Sequence, residues 1–378
     1  MKIAIIQPRT PYHVAGSEKV STKHAEFLSK LGHQIDYYTS IPKDKKETFL
    51  FKEFTAKKLL NVHIKRFDIS ESVLGLYEIE PDQDHVRWAT ESLAFDEKIY
   101  NELNDNRPDI ILSYYLPDSL FKPLGIPNIV YLSGYPSQKV PWYKAFIKFC
   151  HATISISSIV AEKRREETDQ VALNYLLGTG VDYPLKFKEE IVPKAKFNLV
   201  YAGRHIERKG VITLVEAFKR VVAQRDDVHL WMLGDGELIE NTKDRIREYQ
   251  LSDYITMTGV VKNPYDYFRM ADVCIFPSHI GDGLMGVVLE SMASGKPVIT
   301  TTENGNEDVI KNGINGILVA PNNIDMLVYE INRLLGDDLL RTRLGENAEK
   351  FISENMTWEK NCKKLADILQ EVVIKTKR

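Results

Sequence analysis

The sequence predicts an α/β protein built as two halves, each a parallel β-sheet with helices on both faces. Three observations lead there. Short apolar runs alternate with helix-length segments along the chain, the pattern of parallel strands buried on both sides. The alternation breaks once, at residues 182–196 (DYPLKFKEEIVPKAK), where two prolines and dense charges suggest an interdomain linker, and then it restarts. Finally, 378 residues are more than one comfortable core holds.

The elements follow in order. KIAII, from residue 2, is the first strand, and a loop ending VAGSEKV leads into a helix. That helix sets Val20, Phe27, Leu28 and Leu31 on one face and stops at Gly32. QIDYYT is the next strand, and DIILSY, NIVYLS, ATISIS and VALNYL read as further buried runs. After the linker come FNLVYAG, a helix from Lys209, HLWMLG, a helix, ITMTG, a helix, VCIFPS, a glycine-bearing stretch from 281, and GILVAP. Helices fill the remainder. The two halves therefore read as Rossmann-like domains facing each other across a cleft, with ligand-binding loops at the carboxyl ends of the strands.

Composition excludes several classes. A net charge of −3 supplies no electrostatic reason to expect a nucleic-acid partner. The three cysteines, Cys150, Cys274 and Cys362, share no metal spacing and read as reduced thiols, so a cytoplasmic location is expected. The N-terminal apolar run is too short for a signal peptide, and no stretch approaches the length of a membrane span. KVPWYKAFIKFC, residues 139–150, mixes aromatics with lysines and would suit a peripheral membrane contact. An amphipathic helix packed into the first half is the preferred reading. Neither half opens with G-x-G-x-x-G, and no Walker motif is present, which disfavours an NAD or FAD enzyme; no cofactor is expected.

Two constellations bear chemistry. In GDGLMGVVLESMASGKPVIT, residues 281–300, Asp282 stands eight residues before Glu290. Gly283 and Gly286 flank a turn that starts a helix near Leu284. Such an N-terminus binds anions, and Glu290 would lie about 9 Å along the axis, roughly the reach from a phosphate to a ribose. The competing reading makes Asp282 a helix cap and Glu290 a solvated residue. YAGRHIERKGV sets Arg204 and Lys209 after the opening strand of the second half, where two cations can neutralise a diphosphate; the alternative is an exposed basic loop. DQD, residues 82–84, mimics a metal-binding D-x-D, but it precedes a helical segment and is better explained as an acidic helix start. His279, His13 and His205 lie on candidate site loops and carry only a weak signal.

These motifs, with FPS at 276–278 and ENGNEDVIKNGINGILVAP at 303–321, resemble glycosyltransferase family 4, retaining enzymes of the GT-B fold. The likeness is dense from about 197 to 321. It extends more loosely to AGSEKV, LGTGVD and Trp358, the aromatic before a final helix that in this fold crosses back to the first domain. The resemblance implies an acceptor-binding domain at 1–183, joined by a C-terminal helix at 357–378, and a donor-binding domain at 197–356. It implies a metal-independent hexosyl transfer from a UDP- or GDP-sugar to a saccharide, lipid-linked or small-molecule acceptor in polysaccharide or glycoconjugate synthesis. By position, Arg204 and Lys209 would clamp the diphosphate, Glu290 would bind the ribose hydroxyls and Asp282 would face the transferred sugar. The N–H groups of Gly283, Leu284, Met285 and Gly286 would meet sugar or phosphate oxygens. Gly259 and Val260 would border the base, and Gly16, Ser17 and Glu18 would face acceptor and phosphate. The chain departs from the pattern at Asp282, where the family has Glu, at Thr179, where it has Asn, and near Ser133–Gly134, where many members carry a His. The last departure suggests a donor less dependent on a 6-hydroxyl contact, such as a 6-deoxy sugar. The alternatives are a non-catalytic nucleotide-sugar-binding protein and an epimerase of the same fold.

Overall fold

A computed structural model describes residues 1–13, 16–41, 46–69, 84–114, 124–134, 147–169, 171–279 and 283–376. The chain divides into two compact units, Met1–Thr179 with Trp358–Arg378, and Gly180–Thr357.

The first unit contains β1 (Lys2–Ile6), α1 (Gly16–Lys30), β2 (Gln34–Ser40), α2 (Phe49–Ala56), β3 (Val62–Phe67), α3 (Asp84–Asp105), β4 (Ile110–Ser113) and β5 (Asn128–Leu132). It continues with β6 (Ala152–Ser155), α4 (Ser158–Lys163), α5 (Arg165–Thr168) and β7 (Leu173–Leu176). Among the described residues its strands form one parallel sheet in the order β3-β2-β1-β4-β5-β6-β7. The central strands β4 (IILS) and β5 (NIVYL) are buried at every position, as a sheet covered on both faces requires. VALNYL differs from its expectation as a buried run. Its strand β7 lies at the sheet edge and alternates half-buried with exposed residues, leaving Leu176 55% exposed. The strand VHIKRF, absent like the short helix before it from the sequence reading, forms the opposite edge. The strand's apolar residues are too interleaved with charge to stand out.

The second unit contains β8 (Phe197–Ala202), α6 (Val211–Val222), β9 (Val228–Leu233), α7 (Ile239–Glu248), β10 (Ile255–Gly259), α8 (Pro264–Met270) and β11 (Val273–Phe276). It continues with α9 (Gly286–Ala293), β12 (Val298–Thr301), β13 (Ile317–Val319), α10 (Ile324–Gly336) and α11 (Asp338–Asn355). Its described strands form a parallel sheet ordered β10-β9-β8-β11-β12-β13, the same succession counted from its own first strand. Strands β8 and β9 are buried throughout. Helix α6 covers them with Val211, Leu214, Val215, Phe218 and Val221, the i, i+3, i+4, i+7 stripe of an amphipathic helix.

One segment, expected as an interdomain linker, is placed differently by the structure. Residues 183–196 form no helix or strand but fall within the second unit and are tied to α8. The Lys188 N–H donates to Asp266 Oδ1 at 2.7 Å, and Arg269 donates to the Glu189 carbonyl at 3.0 Å. The last helix, α12 (Trp358–Thr376), belongs to the first unit, where Trp358 is 2% exposed and packs edge-on against His24 at 5.7 Å. His24 completes that attachment: its ring bonds Tyr114 through Nδ1 and Asn361 through Nε2, the latter at 2.8 Å. Of the aromatic–lysine stretch 139–150, residues 139–146 lie outside the described residues. Among the described residues, no helix is long and apolar enough to cross a membrane.

Candidate active site

In both sheets the strand order reverses beside the first strand, between β1 and β4 and between β8 and β11. Ligands of open α/β sheets bind beyond the carboxyl ends of the strands at such a switch point. In the second unit this is where Arg204, Lys209 and the helix bearing Glu290 all lie.

The loop after β8 is shaped by glycine. Residues Glu207–Lys209 form one 3-10 turn, and Gly210 then adopts a left-handed conformation (φ +66°) before α6 begins at Val211. A Cβ on Gly210 would lie 2.0 Å from the Pro277 carbonyl oxygen, so only glycine lets this loop close on the loop after β11. The helix expected from Lys209 thus starts two residues later. The loops are joined again where the His279 N–H donates to the Arg208 carbonyl at 2.7 Å. On the other side, Gly234 (φ +124°) approaches Gly203 so closely that a Cβ would meet its carbonyl oxygen at 2.0 Å. The Gly234 N–H donates to the Gly259 carbonyl at 2.8 Å. Backbone contacts of this kind draw the loops after β8, β9, β10 and β11 into one rim.

The predicted residues fall on that rim unequally. Arg204 is exposed and Lys209 half-buried. The Lys209 ammonium lies 3.5 Å from the Met285 sulfur, which brings the basic loop and the glycine-flanked turn into direct contact. Gly283, Leu284 and Met285 are buried, and Gly286 is the exposed first residue of α9. The helix therefore opens two residues later than expected, and Glu290 sits about 6 Å along it rather than 9 Å. Met285 corrects its own expectation. Its N–H donates to Asn306 Oδ1 at 3.1 Å and so is committed to the protein. Glu290 is 5% exposed, which removes the reading of a solvated helix residue, and Tyr265 OH lies 3.5 Å from its Oε1. Gly259 ends β10 at φ +70°, and Val260 beside it is 68% exposed. Asp282 lies outside the described residues. The residue flanking α9 at its start is Met285, which makes no side-chain cap.

Two features of the site, Asn306 and Tyr265, escaped the sequence reading, and a third, His205, carried only a weak signal there. Asn306 is fully buried and holds the turn before α9, while its amide donates to Thr300 Oγ1 at 3.1 Å and its N–H to Asn304 Oδ1 at 3.0 Å. Tyr265 reaches Glu290 from α8. His205 is fully buried with its ring edge-on to Tyr201. Among the described residues neither ring nitrogen has a hydrogen-bond partner, and burial pushes the imidazole down to about 4 against the opposing pull of Asp235. The paired asparagines of ENGN are the one visible signal of the first feature, since Asn so often bonds its own loop.

In the first unit, Gly16 is the exposed first residue of α1 and Ser17 Oγ donates to Glu18 Oε2 at 3.1 Å, with Glu18 itself buried. Among the described residues no group of three or more His, Cys, Asp or Glu is arranged to hold a metal.

A sheet ordered this way, repeated in a second unit, with a final helix returned to the first, matches a known architecture over nearly the whole chain. HepE of Anabaena, solved with UDP-glucose, superposes with a TM-score of 0.79 over 98% of this chain and 100% of that one, at 15% identity. The fold is GT-B. Within this GT-B chain, residues 182–351, nearly all of the second unit, match the family model described as glycosyl transferases group 1. The lipopolysaccharide core biosynthesis glycosyltransferase LpsE of Rhizobium meliloti is 27% identical over 257 residues, covering 68% of this chain and 74% of its own length. An uncharacterized glycosyltransferase of Methanocaldococcus jannaschii, MJ1069, is 31% identical over 191 residues, 50% of this chain. That match spans about half, 48%, of the relative's length.

Proposed function

We propose that this protein is a retaining, metal-independent glycosyltransferase that moves a hexosyl unit from a UDP- or GDP-sugar to an acceptor hydroxyl in cell-surface polysaccharide or glycoconjugate synthesis. The observation that carries this reading is the meeting of Lys209 with the turn before α9 at the switch point of the second sheet. Lys209 then meets the turn before a helix N-terminus, with Arg204 on the same loop, a natural seat for a diphosphate. The group 1 match over the same residues and the polysaccharide role in LpsE's name support the reaction class. UDP is favoured over GDP by the likeness to HepE, solved with UDP-glucose. The second unit takes the donor and the first, with Gly16 to Glu18, faces the saccharide or lipid-linked acceptor. The location is cytoplasmic.

The chemistry follows from the charges. The bond from the anomeric carbon to the β-phosphate oxygen breaks, and its electron pair leaves with the nucleoside diphosphate. Arg204 and Lys209 stabilise that growing charge. The acceptor oxygen bonds the same face of the sugar and passes its proton to the departing phosphate. Glu290 holds the ribose and Asp282 the transferred sugar, which fixes the reacting atoms in place.

A melting-temperature panel with UDP, GDP, ADP and NAD, each with and without EDTA, tests this reading. At 100 times its Kd a ligand stabilises by about 2.7 kcal/mol. Stabilisation by UDP or GDP that survives EDTA is expected. Stabilisation by NAD alone, or only with metal present, would overturn it.

A further inference from the structure

The loop after β11 and the start of α9 are fastened from one place. In β12, Thr300 Oγ1 donates to the Phe276 carbonyl at 2.8 Å, and the Thr301 hydroxyl donates to the Ser278 carbonyl. In the loop that follows, Asn306 Oδ1 accepts from the Met285 N–H at 3.1 Å. The chain is therefore held where it leaves β11 and again where it enters α9. The Asn306 amide donates to Thr300 Oγ1 at 3.1 Å. Asn304 closes the network, accepting from the Asn306 N–H at 3.0 Å and donating to Thr301 Oγ1 at 2.8 Å. Thr300, Thr301, Asn304 and Asn306 are all buried, away from competing water.

This matters because α9 cannot place itself. With eight residues it is too short to be stable alone, and Met285, which flanks its start, makes no side-chain cap. Its position comes from tertiary bonds, and Asn306 supplies one at the first turn from 21 residues away. An amide suits the task. Its carbonyl end accepts from Met285 while its NH2 end is oriented by Thr300, and it brings no charge to oppose an anionic ligand.

Resting on the reading of that helix start as the diphosphate seat, we propose that Asn306 is a positioning residue for donor binding. It sets the first turn of α9 where a nucleoside diphosphate must meet it. The probe is UDP or GDP, whichever the native protein binds, titrated by calorimetry. Asn306→Ala is expected to raise Kd about three- to tenfold, the effect of losing one aligned hydrogen bond, with the number of sites unchanged. Thr300→Val removes the hydroxyl that orients the amide and should raise Kd by a smaller factor. That effect should vanish in an Asn306→Ala background. Thr300→Ser, which keeps the hydroxyl, should bind like the native protein.

A purely structural role has a different signature, since a partly unfolded variant shows fewer sites at the native Kd. Hydrogen exchange supplies a readout without nucleotide: the Met285 amide should exchange faster in Asn306→Ala and Thr300→Val than in Thr300→Ser. An unchanged Kd in Asn306→Ala, a fall in the number of sites alone, or unchanged exchange at Met285 would overturn the proposal. Should Asn306→Ala fail to fold, equal Kd values for Thr300→Val and Thr300→Ser would overturn it as well. A native protein that binds neither UDP nor GDP overturns the donor reading, and the role of Asn306 with it.

Discussion

The two units share a strand order and differ in what secures the loop after the first strand. In the first unit side chains add to backbone bonds such as Thr48 N–H to the Pro11 carbonyl at 2.8 Å. Thr10 Oγ1 and Ser21 Oγ both bond Tyr37 OH at 2.7 Å, and Tyr12 OH donates to Glu91 Oε2 at 2.8 Å. In the second unit close backbone approaches at glycine dominate: Gly210 lies against Pro277, Gly234 against Gly203, and Gly236 against His205. One topology therefore tolerates two solutions. Backbone packing through glycine brings neighbouring loops close enough to share a ligand.

The sharpest way to break the comparison is at the glycine that stands at the start of each first helix. Gly210→Ala forces a left-handed alanine into the Pro277 carbonyl and should cost about 3 kcal/mol or more, read as a fall in melting temperature. Gly16→Ala meets no atom within 4 Å and should change stability by less than about 1 kcal/mol. Equal effects would mean that the two loops are built alike after all.

Lys209→Ala and Glu290→Ala should each lower kcat/KM by roughly two to three orders of magnitude while the circular dichroism spectrum is retained. Undiminished turnover in both would remove the site from the second unit.

The buried histidines sharpen the contrast on a smaller scale. His24 in the first unit is hydrogen-bonded on both nitrogens, and His205 in the second on neither. His24→Leu should destabilise by about 1–3 kcal/mol, because it removes the partner of Tyr114 OH and of Asn361 Oδ1. His205→Leu should be neutral or stabilising. A large loss in His205→Leu would show that its ring does more than fill space.

The same rings set an acid response. Burial pushes His24, His205 and His229 down from 6.5 to about 4. Above pH 6.5 both folded and unfolded forms are neutral and stability is full. Between about 6.5 and 4 the unfolded chain takes up protons that the native rings refuse, so stability falls with pH and the loss levels off below 4. Two of the three rings lie in the second unit, which should open first. Hydrogen exchange at pH 7 and pH 4.5, resolved by segment, would show this as a larger loss of protection over 197–357 than over 1–179.

Much of the site was legible because it is written in residue types with narrow uses. The glycines and cations after β8 were readable as a loop at the switch point and Glu290 as part of the helix after β11, while Asp282 lies outside the described residues. Helix starts were misplaced by two residues at both α6 and α9, because the residues before each are compatible with a helix and only tertiary contacts hold them out of it. Gly210 is drawn against Pro277, and Met285 is drawn to Asn306. Asn306 and Tyr265 were invisible for a related reason. A polar residue's partner across the sheet leaves no trace in local pattern.

By itself the sequence determined the two-sheet α/β architecture, since parallel strands covered on both faces must be written as unbroken apolar runs such as FNLVYA and IILS. It also determined the switch-point loop that bears the cations. Three matters were decided only by the tertiary structure. The Met285 N–H is committed to a neighbouring loop, Glu290 is buried, and His24 is the side chain that anchors α12 in the first unit by bonding Asn361. Each depends on partners between 21 and 337 residues apart in the chain, or on how several elements close over one side chain, and periodicity reports only neighbours within a turn or two.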